Sequence, residues 1–116
     1  TVIKNETVMK EIIPDITPGN VIIVISGKES ETGTTPDFDC GLTTENMFIA
    51  ATSMGLGARP YGGPIAAARS RRDALQIPAG FTPVIMLRVG NIGKSTDAVS
   101  GASPRQTREE IVNYVR

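Results

Sequence analysis

The chain has 116 residues with 12 acidic and 12 basic side chains, one cysteine and no histidine. That length suits one domain burying roughly two-thirds of its unfolded surface, and balanced charge excludes a whole-chain field that would gather nucleic acid or an anionic membrane. Without histidine there is no Ser-His-Asp or Cys-His machinery and no ordinary His-containing zinc site.

Aromatic residues make up only 4% of the chain, which leaves few platforms for stacking bases. A lone cysteine, Cys40, cannot support a disulfide framework and points to a reducing, cytoplasmic compartment. No apolar run approaches the ~20 residues of a membrane-spanning helix, and no basic-then-apolar leader opens the chain. No nucleic-acid or membrane partner and no bound metal are therefore expected.

In chain order, residues 5–13 place Val8, Ile12 and Ile13 at helical spacing behind Asn5, a candidate cap, and Pro14 stops them. Asn5-Glu6-Thr7 also fits a glycosylation acceptor, but the cap is the better reading of a chain with no secretory leader. The run Val21-Ile22-Ile23-Val24-Ile25 is apolar without alternation, as in an interior strand covered on both faces. Residues 27–37 read as an exposed loop. Glu29, Glu31, Asp37 and Asp39 are read as solvated charges with a helix cap at Asp37 or Asp39 rather than as a metal cluster.

From Phe38 to Met54 the apolar residues point in so many directions that a helix buried on most of its circumference is expected. Cys40 inside it reads as a buried, inert thiol. Gly55-Leu56-Gly57 suits a left-handed helix end, and a short extended piece leads to Tyr61-Gly62-Gly63-Pro64. There the missing side chains would let a flat ligand lie directly on the backbone.

Residues 65–75 form an alanine-rich helix with Arg69, Arg71 and Arg72 on its polar side, a wet face in preference to a phosphate site. A turn follows over 76–81, then a second continuous apolar strand over Pro83–Val89. The stretch 91–107 has almost nothing to bury and must travel along a surface, and residues 108–116 close the chain as a short helix or strand anchored by Ile111, Val112 and Val115.

Two strands cannot make a stable sheet alone, so residues 58–61, the tail or a partner chain must supply more. A dinucleotide fingerprint is rejected because the spacing in GLGARPYGG fails at Pro60 and its glycines follow a helix.

The order NVIIVISG, FDCGLTTENMFIAATSMGLGA, RPYGGP, LQIPAGFTPVIMLRVGN and DAVSGASPRQTREEIVNYV resembles the C-terminal part of the nitroreductase family of FMN-dependent oxidoreductases, from about residue 20 to the end. The resemblance implies an α+β fold, a layered α/β/α sheet that is incomplete because an N-terminal portion is missing. It implies one domain over 1–116 with 91–116 as a tail wrapping a second copy in a homodimer. It also implies FMN as cofactor, with main-chain groups of Pro60, Tyr61, Gly62 and Gly63 along the flavin N5 edge and Arg105, with Arg108 as second candidate, on its phosphate. The implied activity is electron transfer from NAD(P)H through FMN to a nitroaromatic, quinone-like or similar acceptor, with no catalytic side chain. Nothing in residues 1–20 matches the family's N-terminal flavin-binding motif, so the chain alone can be inactive even if the intact parent is an enzyme. The alternative is a non-catalytic dimerisation or small-ligand-binding domain that keeps the fold.

Overall fold

The computed structural model describes residues 1–94 and 105–115. Four strands, β1 (Val2–Ile3), β2 (Val21–Gly27), β3 (Gly57–Tyr61) and β4 (Thr82–Gly90), make one sheet in the order β1-β2-β4-β3. Every pairing is antiparallel. The two unbroken apolar runs, β2 and β4, lie at the centre with Ile23 opposite Leu87 and Val24 opposite Met86. The shortfall of strands is met by β3 and by β1, which the sequence reading leaves out because two residues carry no periodicity. β3 is an edge strand, which is where Pro60 can sit without removing an interior ladder bond.

Helix α1 (Glu6–Ile12) starts at Asn5, whose side-chain oxygen accepts from the Val8 N–H at 3.1 Å. That is the expected cap. Helix α2 (Pro36–Ser53) begins earlier than expected: Thr35 is the N-cap, Pro36 takes the first helical position, and Asp37 and Asp39 lie inside the first turn. Their carboxylates face the positive end of the helix dipole instead of capping it. At its other end Gly55 adopts φ +75°, the Leu56 N–H donates to Ala51 at 3.0 Å and the Gly55 N–H to Thr52 at 3.0 Å. This paired closure is a Schellman motif, and the left-handed glycine makes it possible.

The alanine-rich helix α3 (Ile65–Ser70) is shorter than the expected 65–75, because the chain turns from Arg71 onward and Gln76 takes φ 52°. Arg69 in the helix and Arg71 and Arg72 just beyond it each find a partner within the chain. Arg69 Nε donates to the Pro83 carbonyl at 2.9 Å, Arg72 reaches the carbonyls of Pro78 at 3.1 Å and Phe81 at 3.3 Å, and Arg71 pairs with Glu11. Arg69 and Arg71 remain exposed, as a wet face should, while Arg69 and Arg72 also tie the α3–β4 connection down and Arg71 reaches α1.

The elements form an α/β/α sandwich. On one face α1 and α3 close over Ile22, Val24 and Met86, burying Met9, Ile12 and Ala68. On the other, α2 lies across the sheet with Cys40 against Ile25 and Leu87. Gly27 lets α2 come this close, since a Cβ there would stand 2.6 Å from the Pro36 Cβ and 3.1 Å from the Cys40 sulfur. Thr44, also buried, satisfies its hydroxyl by donating to the Cys40 carbonyl at 2.6 Å.

One expectation for α2 is corrected. It is buried along a single side, while Phe38, Leu42, Ile49 and Met54 are 54–74% exposed. A flat sheet covers only one stripe of a helix, and among the described residues no layer lies outside it. In the tail, α4 (Arg108–Ile111) is a single turn with the Glu110 carboxylate accepting from the Thr107 N–H at 2.7 Å. All of residues 105–115 are exposed, and they add no strand to the sheet.

Candidate functional site

The turn Tyr61-Gly62-Gly63-Pro64 joins the end of edge strand β3 to the start of α3. Its geometry comes from local bonds: the Gly62 carbonyl accepts from the Ile65 N–H at 3.2 Å, and the Pro64 carbonyl from Ala67 at 3.0 Å. Outside the β3–β4 ladder, neither the Gly62 nor the Gly63 N–H donates to any group among the described residues.

The two glycines have no reason within the chain to be glycine. Neither has a positive φ, and a Cβ built on either meets nothing within 4 Å. Several other glycines answer to the fold itself, through positive φ at Gly55 or close approach at Gly27, whereas Gly41 on α2 also meets nothing within 4 Å; what sets Gly62 and Gly63 apart is that they are adjacent and lie in a turn rather than a helix. At Gly62 and Gly63 the bare backbone faces open space. That geometry fits a planar group lying on the main chain.

The sequence-derived site residues fall into two places. Pro60, Tyr61, Gly62 and Gly63 are consecutive along β3 and its turn, with Pro60 exposed and Tyr61 half-buried against the α1/α3 core. Arg105 and Arg108 are exposed in the tail, where Arg108 donates to the Tyr114 hydroxyl and lies 5.9 Å from its ring centroid. Among the described residues no hydrogen bond or ion pair links this tail to the turn. Ser103 and Pro104, part of the tail motif, lie outside the described residues.

Sequence reasoning passed over a polar network on the α1/α3 face. Arg88 of β4 donates through Nε to the Asn20 side-chain oxygen, through one terminal nitrogen to the Tyr61 hydroxyl at 3.3 Å, and through the other to the Thr17 hydroxyl at 2.8 Å. Arg59, its register partner on β3, lies 4.8 Å over the Tyr61 ring. The only signal in the sequence was an arginine inside an otherwise apolar strand.

Cys40 is buried, and its thiol pKa is raised above the ordinary 9.0, first by burial and then by the charges of Asp37 and Asp39. A thiol held protonated is a poor nucleophile, as the sequence implied. Among the described residues no group of three or more His, Cys, Asp or Glu could hold a metal, and no helix is long and apolar enough to cross a membrane.

With the sandwich and its bare turn in place, the comparison with known proteins is decisive for family: the model of the Nitroreductase family matches residues 13–91. The chain belongs to the nitroreductase family. The match begins before residue 20 and includes the whole β3 turn, but it ends ahead of Arg105 and Arg108. No curated protein matches significantly by sequence.

Among solved structures the chain is similar to NfrA1 of B. megaterium, with TM-score 0.75 and 18% identity over 98% of this chain and 55% of that one. It is similar to a nitroreductase with bound FMN from Desulfitobacterium hafniense DCB-2, with TM-score 0.67 and 18% identity over 99% of this chain and 73% of that one. It also resembles a nitroreductase with bound FMN from Bacteroides fragilis NCTC 9343, with TM-score 0.62 and 17% identity over 83% of this chain and 51% of that one. At such identities the likeness establishes a shared fold. The chain spans only about half the length of two of these relatives.

Proposed function

We propose that this chain is the C-terminal portion of a cytoplasmic nitroreductase-type oxidoreductase that binds FMN at the β3 turn and carries electrons from NAD(P)H to a nitroaromatic, quinone-like or similar acceptor. The observation that carries this reading is the pair Gly62 and Gly63, whose backbone meets nothing within 4 Å where a Cβ would be. FMN, when bound, supplies a hydride acceptor and electron store that no side chain of the protein can provide.

The protein's part is to bind and orient. Pro60 has no N–H, so it can offer only its ring and carbonyl, while the Gly62 and Gly63 N–H groups are free to donate to an acceptor at the N5 edge of the flavin. Arg105, with Arg108 second, is assigned to the phosphate, where a planar guanidinium can form paired charge-assisted hydrogen bonds. No side chain is given a proton-transfer role. Homodimerisation completes the reading, since the outer face of α2 and the tail residues Ile111, Tyr114 and Val115 present apolar surface that a second copy would cover.

The test is a flavin titration followed by visible absorbance and fluorescence quenching. Gly62→Val is expected to leave the melting temperature within about 2 °C, because nothing in the chain is displaced, while weakening FMN binding by about tenfold or more. A colourless protein that forms a folded dimer, shows no NAD(P)H oxidation with added FMN and ignores the valine would instead identify a non-catalytic dimerisation domain.

A further inference from the structure

We propose that Arg59 and Arg88 form an oxyanion subsite at the end of the sheet, built to take the dianionic phosphate of a small ligand. The two are register partners across the β3–β4 ladder and project from the same sheet face as Tyr61 and Met86. Like charges placed directly opposite each other on paired strands repel, so the arrangement is unfavourable unless something negative accompanies it.

Among the described residues no such group is supplied. Among the described residues the sole ion pair is Arg71–Glu11, and neither Arg59 nor Arg88 has an acidic partner. Arg88 is instead fixed by three neutral oxygens, those of Asn20, Thr17 and Tyr61, which orient its guanidinium without cancelling its charge. Asn20 is itself seated against Gly90, where a Cβ would come 2.9 Å from its Cγ. Arg59 makes no hydrogen bond among the described residues and rests over the Tyr61 ring, the same phenol whose hydroxyl Arg88 holds.

One guanidinium is thus locked and the other parked beside it, both with donors to spare. A single carboxylate would leave one of the two positive charges uncompensated. A phosphate dianion balances both and matches the forked donors geometrically. The inference does not rest on flavin binding at the neighbouring turn.

The experiment measures the melting temperature and 31P line width of the full chain with inorganic phosphate against chloride at equal ionic strength. Phosphate is expected to raise the melting temperature in a saturable way, and Arg59→Gln to weaken binding about tenfold or more. That variant removes an exposed side chain with no hydrogen bond among the described residues, and relief of the repulsion from Arg88 offsets loss of the contact over the Tyr61 ring, so its melting temperature without phosphate is expected to stay the same or rise slightly. Arg59→Lys, which keeps charge but loses the fork, is expected to bind at an intermediate level. Equal stabilisation by chloride and phosphate, or an undiminished phosphate effect in Arg59→Gln, overturns the proposal. Competition separates the sources of the phosphate: NADPH displacing it far better than NADH identifies a nucleotide 2′-phosphate, and equal failure of both identifies free phosphate.

Discussion

The two faces of the sheet are finished to different degrees. On the α1/α3 side, Met9, Ile22, Val24 and Met86 are at most 1% exposed, with Val8, Ile65 and Phe81 half-buried around them. On the α2 side Leu87 is fully buried, but Ile23, Met47, Phe48 and Ile85 of the inner stripe are only half-buried, and the outer stripe leaves Phe38 59%, Leu42 54% and Met54 74% exposed. The first face is a self-sufficient core. The second is half of one, and its apolar surplus acquires a physical reason only against another surface.

The strongest way to break this contrast is to cut the closed layer. Met86→Ala is expected to lower unfolding free energy by about 2–5 kcal/mol in urea denaturation, because the site is enclosed on all sides and leaves a cavity. Leu42→Glu, on the open face, should change single-chain stability by no more than about 0.5 kcal/mol. If the proposed dimer buries that face, the same change should weaken self-association at least about tenfold in sedimentation velocity. A large loss of chain stability with no change in association would reverse the comparison.

Smaller effects sharpen it. Asn5→Ala removes the side-chain acceptor at the start of α1 and should cost about 1 kcal/mol in chemical denaturation, since the Val8 N–H then turns to water. The faintest signal is the pH dependence from Cys40 in the α2 layer. Its pKa is raised in the folded state by burial and by Asp37 and Asp39, so the folded protein holds a proton that the unfolded chain releases. The stability is therefore intact below the ordinary value of 9.0 and falls as pH rises past it. Cys40→Ala should flatten that alkaline slope in melts between neutral pH and alkaline conditions.

Much of this organisation could be read from the residues. The unbroken runs of β2 and β4 announced interior strands, Asn5 and Gly55 marked helix ends through their own chemistry, and the double glycine flagged the candidate ligand turn. What stayed illegible depended on neighbours distant in the chain. β1 is two residues long and exists only because β2 has a free edge. Arg71 and Arg72 gave no sign in the sequence that Glu11 and the 78–81 carbonyls would partner them on the surface. Arg88 gave no hint of a partner, since Arg59, Tyr61, Thr17 and Asn20 are 27 to 71 residues away along the chain.

By itself, then, the sequence determined the two central strands, the cores of the three main helices, the cap at Asn5 and the glycine stop after α2, the layered fold class and the turn at which a flat ligand could meet bare backbone. These follow from side-chain periodicity, caps and missing Cβ atoms, all of them properties of a few adjacent residues. Only the tertiary structure decided the strand order, which side of α2 stays uncovered and which arginines are spent on carbonyls and which are left charged and waiting. Those outcomes depend on contacts between remote segments, and no local pattern encodes them.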